Sequence, residues 1–238
     1  MNNLSIIIPC YNEEESIPVL IEKLKLFENE CKDLFTPHFI FVDDGSTDST
    51  FQLLESNGVK LRSAKVIKHH TNKNLGAAVK TGIKEAPDDH FCAFLDSDCT
   101  YEPNVLIKLF EALSNSYDIA TVSPYHPEGQ VEGVPAWRLA LSKGLSFVYR
   151  LILRKKIYTF TAMVRMMRPG TINQIISNKD DFSFMAESLI MALKKGLNVI
   201  EVPATLSLRK YGQSKMNVLK TIKSHLYILK KLLFKGAL

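Results

Sequence analysis

The sequence predicts an α/β fold: a three-layer, mostly parallel sheet with helices on both faces. Three observations carry this expectation. Short, unbroken apolar runs rich in β-branched residues alternate with helical patterns of about 10 to 15 residues, the signature of parallel βαβ units. The runs lack the polar alternation of a one-sided sheet, so both faces are expected to be covered. At 238 residues, the chain is long enough for one substantial domain with an appendage.

The elements follow in order. Leu4 to Pro9 (LSIIIP) reads as a strand buried on both faces. Asn12, with Glu15 three residues on, reads as the N-cap of a helix running to about Phe27. Phe39 to Val42 is a second strand, closed by Asp43-Asp44-Gly45-Ser46, after which Ser46 or Thr47 can cap a helix to about Glu55. Ala64 to Lys68 is a third strand, Gly76 to Ala86 a helix, and Phe91 to Leu95 a fourth strand ending in Asp96-Ser97-Asp98. Beyond Asp98 the alternation weakens. Ile119 to Ser123 reads as a strand, Phe160 to Met167 and Val199 to Leu208 as extended, and Met185 to Lys195 as a helix. Trp137 to Arg154 reads as an amphipathic helix, with Trp137, Leu141, Leu145, Val148 and Ile152 on one face. One domain over residues 1–215, followed by a basic amphipathic helix over 216–238, is the expected organisation.

Composition narrows the class. A hydrophobic fraction of 46% and a charged fraction of 23% are ordinary for a globular protein. The start of the chain has no secretory pattern, and no apolar run approaches the roughly 18 residues of a spanning helix. Cys10, Cys31, Cys92 and Cys99 form no CxxC pair, so a reduced, cytoplasmic protein without a zinc site is expected. The net charge of +5 is modest, but Lys210, Lys215, Lys220, Lys223, Lys230, Lys231 and Lys235 crowd the tail. Such a tail suits an anionic membrane surface. It lacks an aromatic stacking platform, so no nucleic-acid partner is expected.

Ligands of open α/β sheets sit outside the carboxyl ends of the strands. Tyr11-Asn12-Glu13, Asp43-Asp44 and Asp96-Ser97-Asp98 all follow strands and should converge on one edge. Two carboxylates separated by one residue suit a hard divalent cation such as Mg2+ or Mn2+, completed by water and diphosphate oxygens. Two adjacent acids at Asp43-Asp44 exceed what capping a turn requires. A carboxylate there can accept hydrogen bonds from a nucleobase or a ribose.

SIIIPCYNEEESI, FVDDGSTDST, NLGAAVKTGIKEA and AFLDSDCTYEP resemble, in order and spacing, the N-terminal half of family 2 glycosyltransferases of the GT-A, Rossmann-like fold. VEGVPAWRLALSKG, TFTAMVRMMRPG and ALKKGLNVIEVPATLSLRKYGQSK resemble the polyprenol-phosphate sugar transferases within that family, of the dolichol-phosphate mannose synthase type. The likeness spans roughly residues 4 to 217. It implies that Pro9, Tyr11, Glu13 and Asp43 hold the nucleoside, and that Asp96, Ser97 and Asp98 contact ribose, metal and diphosphate. It also implies that Arg138, Arg209, Ser214 and Lys215 face phosphates, for which permanent cations are the fitting chemistry. Asp98 and Arg209 would then serve catalysis, with Asp96 and Asp98 as metal ligands.

The expected reaction moves a sugar from a GDP- or UDP-linked donor to a polyprenyl phosphate with inversion, at the cytoplasmic face of a membrane. A homo-oligomer or an integral-membrane partner would be compatible with it. A glycolipid or polysaccharide hydroxyl as acceptor is the alternative and would need a base, for which Asp180, Asp181 and Glu187 are candidates. A non-catalytic nucleotide-sugar binding module is the other alternative. The chain departs from the subgroup at Thr100, where a glutamine is usual, at Pro124, where an arginine is usual, and across Thr159 to Met163, where an Asp-Pro-x-Ser-Gly segment is usual.

Overall fold

A computed structural model describes residues 2–113, 116–212 and 217–234. Strands β1 (Asn2–Cys10), β2 (Phe35–Asp43), β3 (Ala64–Lys68) and β4 (Phe91–Phe94) alternate with helices α1 (Ile17–Glu30), α2 (Thr50–Gly58) and α3 (Leu75–Glu85). After α4 (Val105–Leu113) come β5 (Ile119–Ser123), β6 (Gln130–Val131), α5 (Ala136–Leu153) and β7 (Arg165–Met167). Helix α6 (Ser183–Lys194), β8 (Val199–Pro203), β9 (Thr205–Leu206) and α7 (Val218–Phe234) complete the chain.

Seven strands form one sheet in the order β3-β2-β1-β4-β7-β5-β8. It is parallel except for β7, which runs antiparallel to both β4 and β5. The expected mixed, mostly parallel sheet is therefore present. Ile6, Ile7 and Ile8 are all fully buried because both faces are covered. Ile6 and Ile8 pack with Ile17, Leu20 and Leu106, and Ile7 packs with Val79, Ile83 and Phe184. A Cβ at Gly82 would collide with the Ile7 side chain, so the glycine lets α3 lie directly on β1.

The sequence misplaces two helix starts. Asn12 is not an N-cap. Its φ is +53°, its Oδ1 accepts the Thr47 N–H at 2.8 Å, and α1 begins only at Ile17. Helix α2 begins at Thr50, whose N–H donates to Asp48 Oδ1 at 3.0 Å, so neither Ser46 nor Thr47 caps it. In both places a capping motif serves a tertiary bond between two strand-end loops. The extended reading of Phe160 to Met167 holds as strand only for Arg165–Met167.

A third apolar cluster joins α5, α6 and α7 through Tyr149, Phe160, Leu189 and Ile228. The tail helix thus packs on the domain through His225 and Ile228, while Leu219, Leu226 and Leu233 on its outer side stay exposed. The buried face is rotated away from the stripe formed by Val218, Ile222, Leu226, Leu229 and Leu233. That stripe lies at the edge of the contact rather than at its centre.

Candidate active site

Strand register brings the three polar clusters to one edge. Cys10 pairs with Asp43, and the Leu95 N–H donates to the Ile7 carbonyl at 3.1 Å, which carries the chain from β4 into Asp96 beside them. Pro9 sits inside β1 opposite Val42, and Tyr11 follows directly after the strand. Several cross-links tie the first two loops: besides the Thr47–Asn12 bond, the Asn12 N–H donates to Ser46 Oγ at 2.9 Å, and the Glu13 N–H to Thr50 Oγ1 at 2.7 Å.

The two adjacent acids after β2 do different things. Asp43 is fully buried; its Oδ1 accepts the Ser46 N–H at 3.3 Å, and its Oδ2 has no partner. A buried oxygen left so costs about 1–3 kcal/mol, which a ligand donor can recover. Asp44 points inward. Its Oδ1 accepts the Lys73 N–H at 2.9 Å and the His69 Nδ1–H at 2.7 Å, while His69 Nε2 lies 2.9 Å from Thr81 Oγ1. Burial pushes the Asp44 carboxyl up, and the Lys73 N–H and His69 hold it down. The pair pins loop 69–74 against the turn at Gly45, where φ is +72° and a Cβ would lie 2.5 Å from the Thr71 backbone.

Glu13, Asp96, Asp98 and Arg209 form the acidic centre. Arg209 Nη2 donates to Glu13 Oε2, and its Nη1 lies 3.7 Å from Asp98 Oδ2. Asp98 Oδ1 accepts the Thr100 N–H at 3.1 Å. Burial, then Asp98, then Glu13 push the Asp96 carboxyl well above the usual range, against the opposing charge of Arg209. Burial also raises Glu13, again opposed by Arg209. The cluster is short of positive charge, which is the property a cation site needs. Among the described residues no three His, Cys, Asp or Glu side chains form a ready-made cage. Mg2+ and Mn2+ sites of one or two carboxylates plus substrate phosphates need none, so Asp96 and Asp98 fit such an ion. Ser97 between them is 7% exposed.

From this centre a cleft of about 510 Å³ runs outward between α5 and α7. Asp96, Asp98 and Arg209 line its polar end, Arg138 its flank, and Trp137, Leu141, Ile222 and Leu226 its apolar end. Thr100, Pro124, Thr159, Thr161, Ala162 and Met163 all line it too, so the departures from the subgroup pattern gather on one cleft. Gly212, at φ +62°, turns the chain so closely over Arg209 that a Cβ would sit 3.2 Å from Nη2.

The three candidate bases are not brought to this cleft. Glu187 is buried and accepts a hydrogen bond from Ser177 Oγ. Asp180 pairs with Lys80 at 2.5 Å, and Asp181 accepts the Ser183 N–H at the start of α6 at 2.9 Å. From this segment the cleft takes Phe182 and Met185 instead. Ser214 and Lys215 lie outside the described residues. Sequence reasoning missed His69, Glu201 and Arg165. Glu201 accepts the Tyr158 and Thr159 N–H groups at 2.7 and 2.8 Å and so fixes one wall of the cleft. Arg165 is fully buried in β7, donates to the Met185 and Ala162 carbonyls at 2.9 and 2.7 Å, and is pushed down to about 10 by burial. A lone arginine inside the apolar run MVRMM was the available signal.

An open, mostly parallel sheet with acidic groups gathered at its strand ends places the protein in the α/β class. Comparison makes this specific. The sequence model of glycosyl transferase family 2 matches residues 5–175, and the chain belongs to that family. It is 34% identical over 215 residues to a dolichol-phosphate mannosyltransferase of Pyrococcus furiosus, covering 90% of this chain and 59% of that protein. It is 31% identical over 218 residues to a polyprenol monophosphomannose synthase of Mycolicibacterium smegmatis, covering 89% of this chain and 80% of that protein. The chain therefore spans less than two thirds of the Pyrococcus relative. In fold it resembles glucosyl-3-phosphoglycerate synthase of Mycobacterium tuberculosis in complex with Mn2+, UDP-glucose and phosphoglyceric acid. That likeness has a TM-score of 0.72 at 16% identity and covers 97% of this chain and 79% of the other. The architecture is the GT-A fold.

Proposed function

We propose that the protein transfers a sugar from a nucleotide-sugar donor to a polyprenyl phosphate, with inversion at the anomeric carbon. One observation carries this reading: a single cleft joins a carboxylate and arginine centre to an apolar channel between α5 and α7. Such a cleft suits a substrate with an anionic head and a long apolar tail. The named relatives point to the same substrate class.

Pro9, Tyr11, Glu13, Asp43, Asp96 and Ser97 are assigned to base and ribose, and the unpartnered Asp43 Oδ2 supports an acceptor role there. Asp96 and Asp98 would hold Mg2+ or Mn2+, which would supply positive charge against the donor diphosphate. Arg209 and Arg138 face the cleft and stabilise phosphate oxygens there. Ser214 and Lys215 are proposed to add donors. The acceptor phosphate is already ionised at neutral pH, so its oxygen attacks the anomeric carbon as the bond to the diphosphate breaks, and no base is required. The bonds that Asp180, Asp181 and Glu187 make elsewhere favour this acceptor over a hydroxyl.

The lipid must be met at a membrane, and no helix among the described residues is long and apolar enough to cross one. Docking by α5 and α7 at the cytoplasmic face suits this need. Trp137, Leu141, Phe147 and Leu151 are 47–60% exposed along α5, and Leu219 and Leu226 are exposed along α7 with Lys220, Lys223 and Lys230 beside them. The test incubates the protein with a panel of labelled GDP- and UDP-sugars and short polyprenyl phosphates. Label in the lipid extract, dependent on Mg2+ or Mn2+, supports the reading. Donor turnover without lipid product, or no turnover with any donor, overturns it.

A further inference from the structure

Helix α5 has a second side that the cleft does not use. Lys143, Phe147 and Arg150 lie at i, i+4 and i+7, on one face. With Tyr125, Ile157 and Tyr158 they line a separate pocket of about 310 Å³. Among the described residues that line it, three are aromatic and the two charged ones, Lys143 and Arg150, are both cations. The Lys143 ammonium stands 5.1 Å from the centre of the Tyr125 ring, and the Arg150 guanidinium 5.2 Å from that of Tyr158. Among the described residues neither cation has a carboxylate within salt-bridge reach.

The rear of the pocket is fixed. The Tyr158 N–H is held at 2.7 Å by Glu201, and its ring meets His126 edge-on at 5.8 Å between centres. Ile157 beside it is 5% exposed. The front is different: Phe147 is 58% exposed and continues into Val148 and Leu151, exposed by 39% and 60%. Cations laid on tyrosine faces keep their N–H edges free, and the guanidinium fork matches a phosphate oxygen pair. The pocket thus offers a point charge and a fork, with an exposed apolar rim next to them.

We propose that this pocket binds the phosphate group of an anionic phospholipid, whose acyl chains lie along Phe147 and Leu151. It is a lipid site distinct from the acceptor cleft, with Tyr125 as the shared wall between the two. The site would anchor α5 in the headgroup layer and fix the direction in which the acceptor cleft opens. The choice of a bilayer lipid rests on the membrane docking proposed above; the phosphate chemistry of the pocket does not.

The test measures co-sedimentation of the full chain with vesicles of phosphatidylcholine alone or with added phosphatidylglycerol, at one fixed ionic strength. Lys143→Gln/Arg150→Gln is compared with Lys220→Gln/Lys223→Gln, which removes the same charge from α7. Wild-type partitioning should rise with phosphatidylglycerol. The pocket variant should lose at least tenfold of that gain, and the α7 variant clearly less. Equal losses in the two variants mean diffuse surface charge and overturn the site. So does wild-type binding that ignores phosphatidylglycerol, although membrane docking would then stand.

A second arm, without vesicles, follows inorganic phosphate by phosphorus NMR line broadening. If no vesicle binds but phosphate broadening is present and disappears in the pocket variant, the ligand is a soluble phosphate and the lipid assignment fails. Lys143→Gln alone, at an exposed position, guards against misfolding of the double variant. It should show a partial loss in the same direction, and no loss counts against the site.

Discussion

Arg209 reaches across the mouth of the site to Glu13, 196 residues earlier in the chain, and so serves as the cation of an otherwise acidic centre. The same guanidinium lies 3.7 Å from Asp98, a proposed metal ligand. A divalent ion held there would therefore compete with Arg209 for the same negative field. Arg209→Ala should bind Mn2+ more tightly in the absence of nucleotide, by about fivefold to tenfold, since a factor of ten is 1.4 kcal/mol. Sugar transfer should fall by about 10- to 100-fold, because charge-assisted hydrogen bonds contribute about 1.5–3 kcal/mol. Paramagnetic resonance of free Mn2+ reads the first effect and an initial-rate assay the second. Weaker Mn2+ binding in the variant would count against the competition.

Asp96 gives a prediction in which stability and function oppose each other. Its folded-state carboxyl is raised, so the native state holds protons more tightly than the unfolded chain does, and stability drops as pH rises through that window. Above that window Asp96 is a net cost to stability. Asp96→Asn should raise the melting temperature, by about 2–4 °C for each kcal/mol relieved in a chain of this size. It should also lower Mg2+- or Mn2+-dependent donor binding by orders of magnitude. Asp98→Asn should lose the same binding and turnover. Calorimetry alongside donor titration checks both variants, and full activity of Asp98→Asn, or of wild type in chelator, contradicts the metal reading.

The strand ends were legible in the sequence because buried parallel strands read as unbroken apolar runs. Ile6-Ile7-Ile8 and Phe39 to Val42 leave little alternative, and the acids after them must then share an edge. The helix starts were not legible, since Asn12 and Ser46 make tertiary bonds with the chemistry that also makes local caps. The split between Asp43 and Asp44 was likewise hidden. It depends on His69 and Thr81, which only the packing of α3 on the sheet brings near. Glu187 misled because its helix is buried on nearly every side, so an acid in its sequence looked like a surface or catalytic group. Arg209 could be singled out by residue type, but its reach to Glu13 could not.

His225 is the buried titratable group on which α7 docking depends. Its Nδ1 lies 3.0 Å from the Tyr149 hydroxyl, and burial pushes the imidazole down to about 4, with Asp181 opposing and Lys179 adding to the shift. The unfolded or undocked ring titrates at about 6.5. Between these values the undocked state takes up a proton that the docked state does not, so docking is at full strength above about pH 6.5 and weakens toward pH 4. The loss is of order 3 kcal/mol over that window. Hydrogen exchange over residues 218–234 should accelerate as pH falls, after correction for intrinsic rates. His225→Gln should flatten the profile, and an unchanged pH dependence in that variant would assign the effect elsewhere.

Removing the tail cannot test its membrane role cleanly. Ile228 and His225 close the cluster around Tyr149, and their loss would expose that core along with the helix. Substitutions on the outer face separate the two effects. Leu219 and Leu233 are 81% and 61% exposed and do not line the cleft. In water, Leu219→Glu/Leu233→Glu should leave stability within about 0.5 kcal/mol of wild type per site, as exposed substitutions usually do. At a bilayer each leucine contributes about 1.5–3 kcal/mol when buried, so the pair should lower vesicle binding by at least tenfold. Wild-type binding should also weaken between 0.1 and 1 M salt, as the Debye length shrinks from about 10 to 3 Å and the lysines of α7 lose their hold. Transfer to a short, water-soluble polyprenyl phosphate should be retained while transfer to vesicle-embedded acceptor falls. Equal loss on both acceptors would mean that α7 shapes the cleft and does not seat the protein on the membrane.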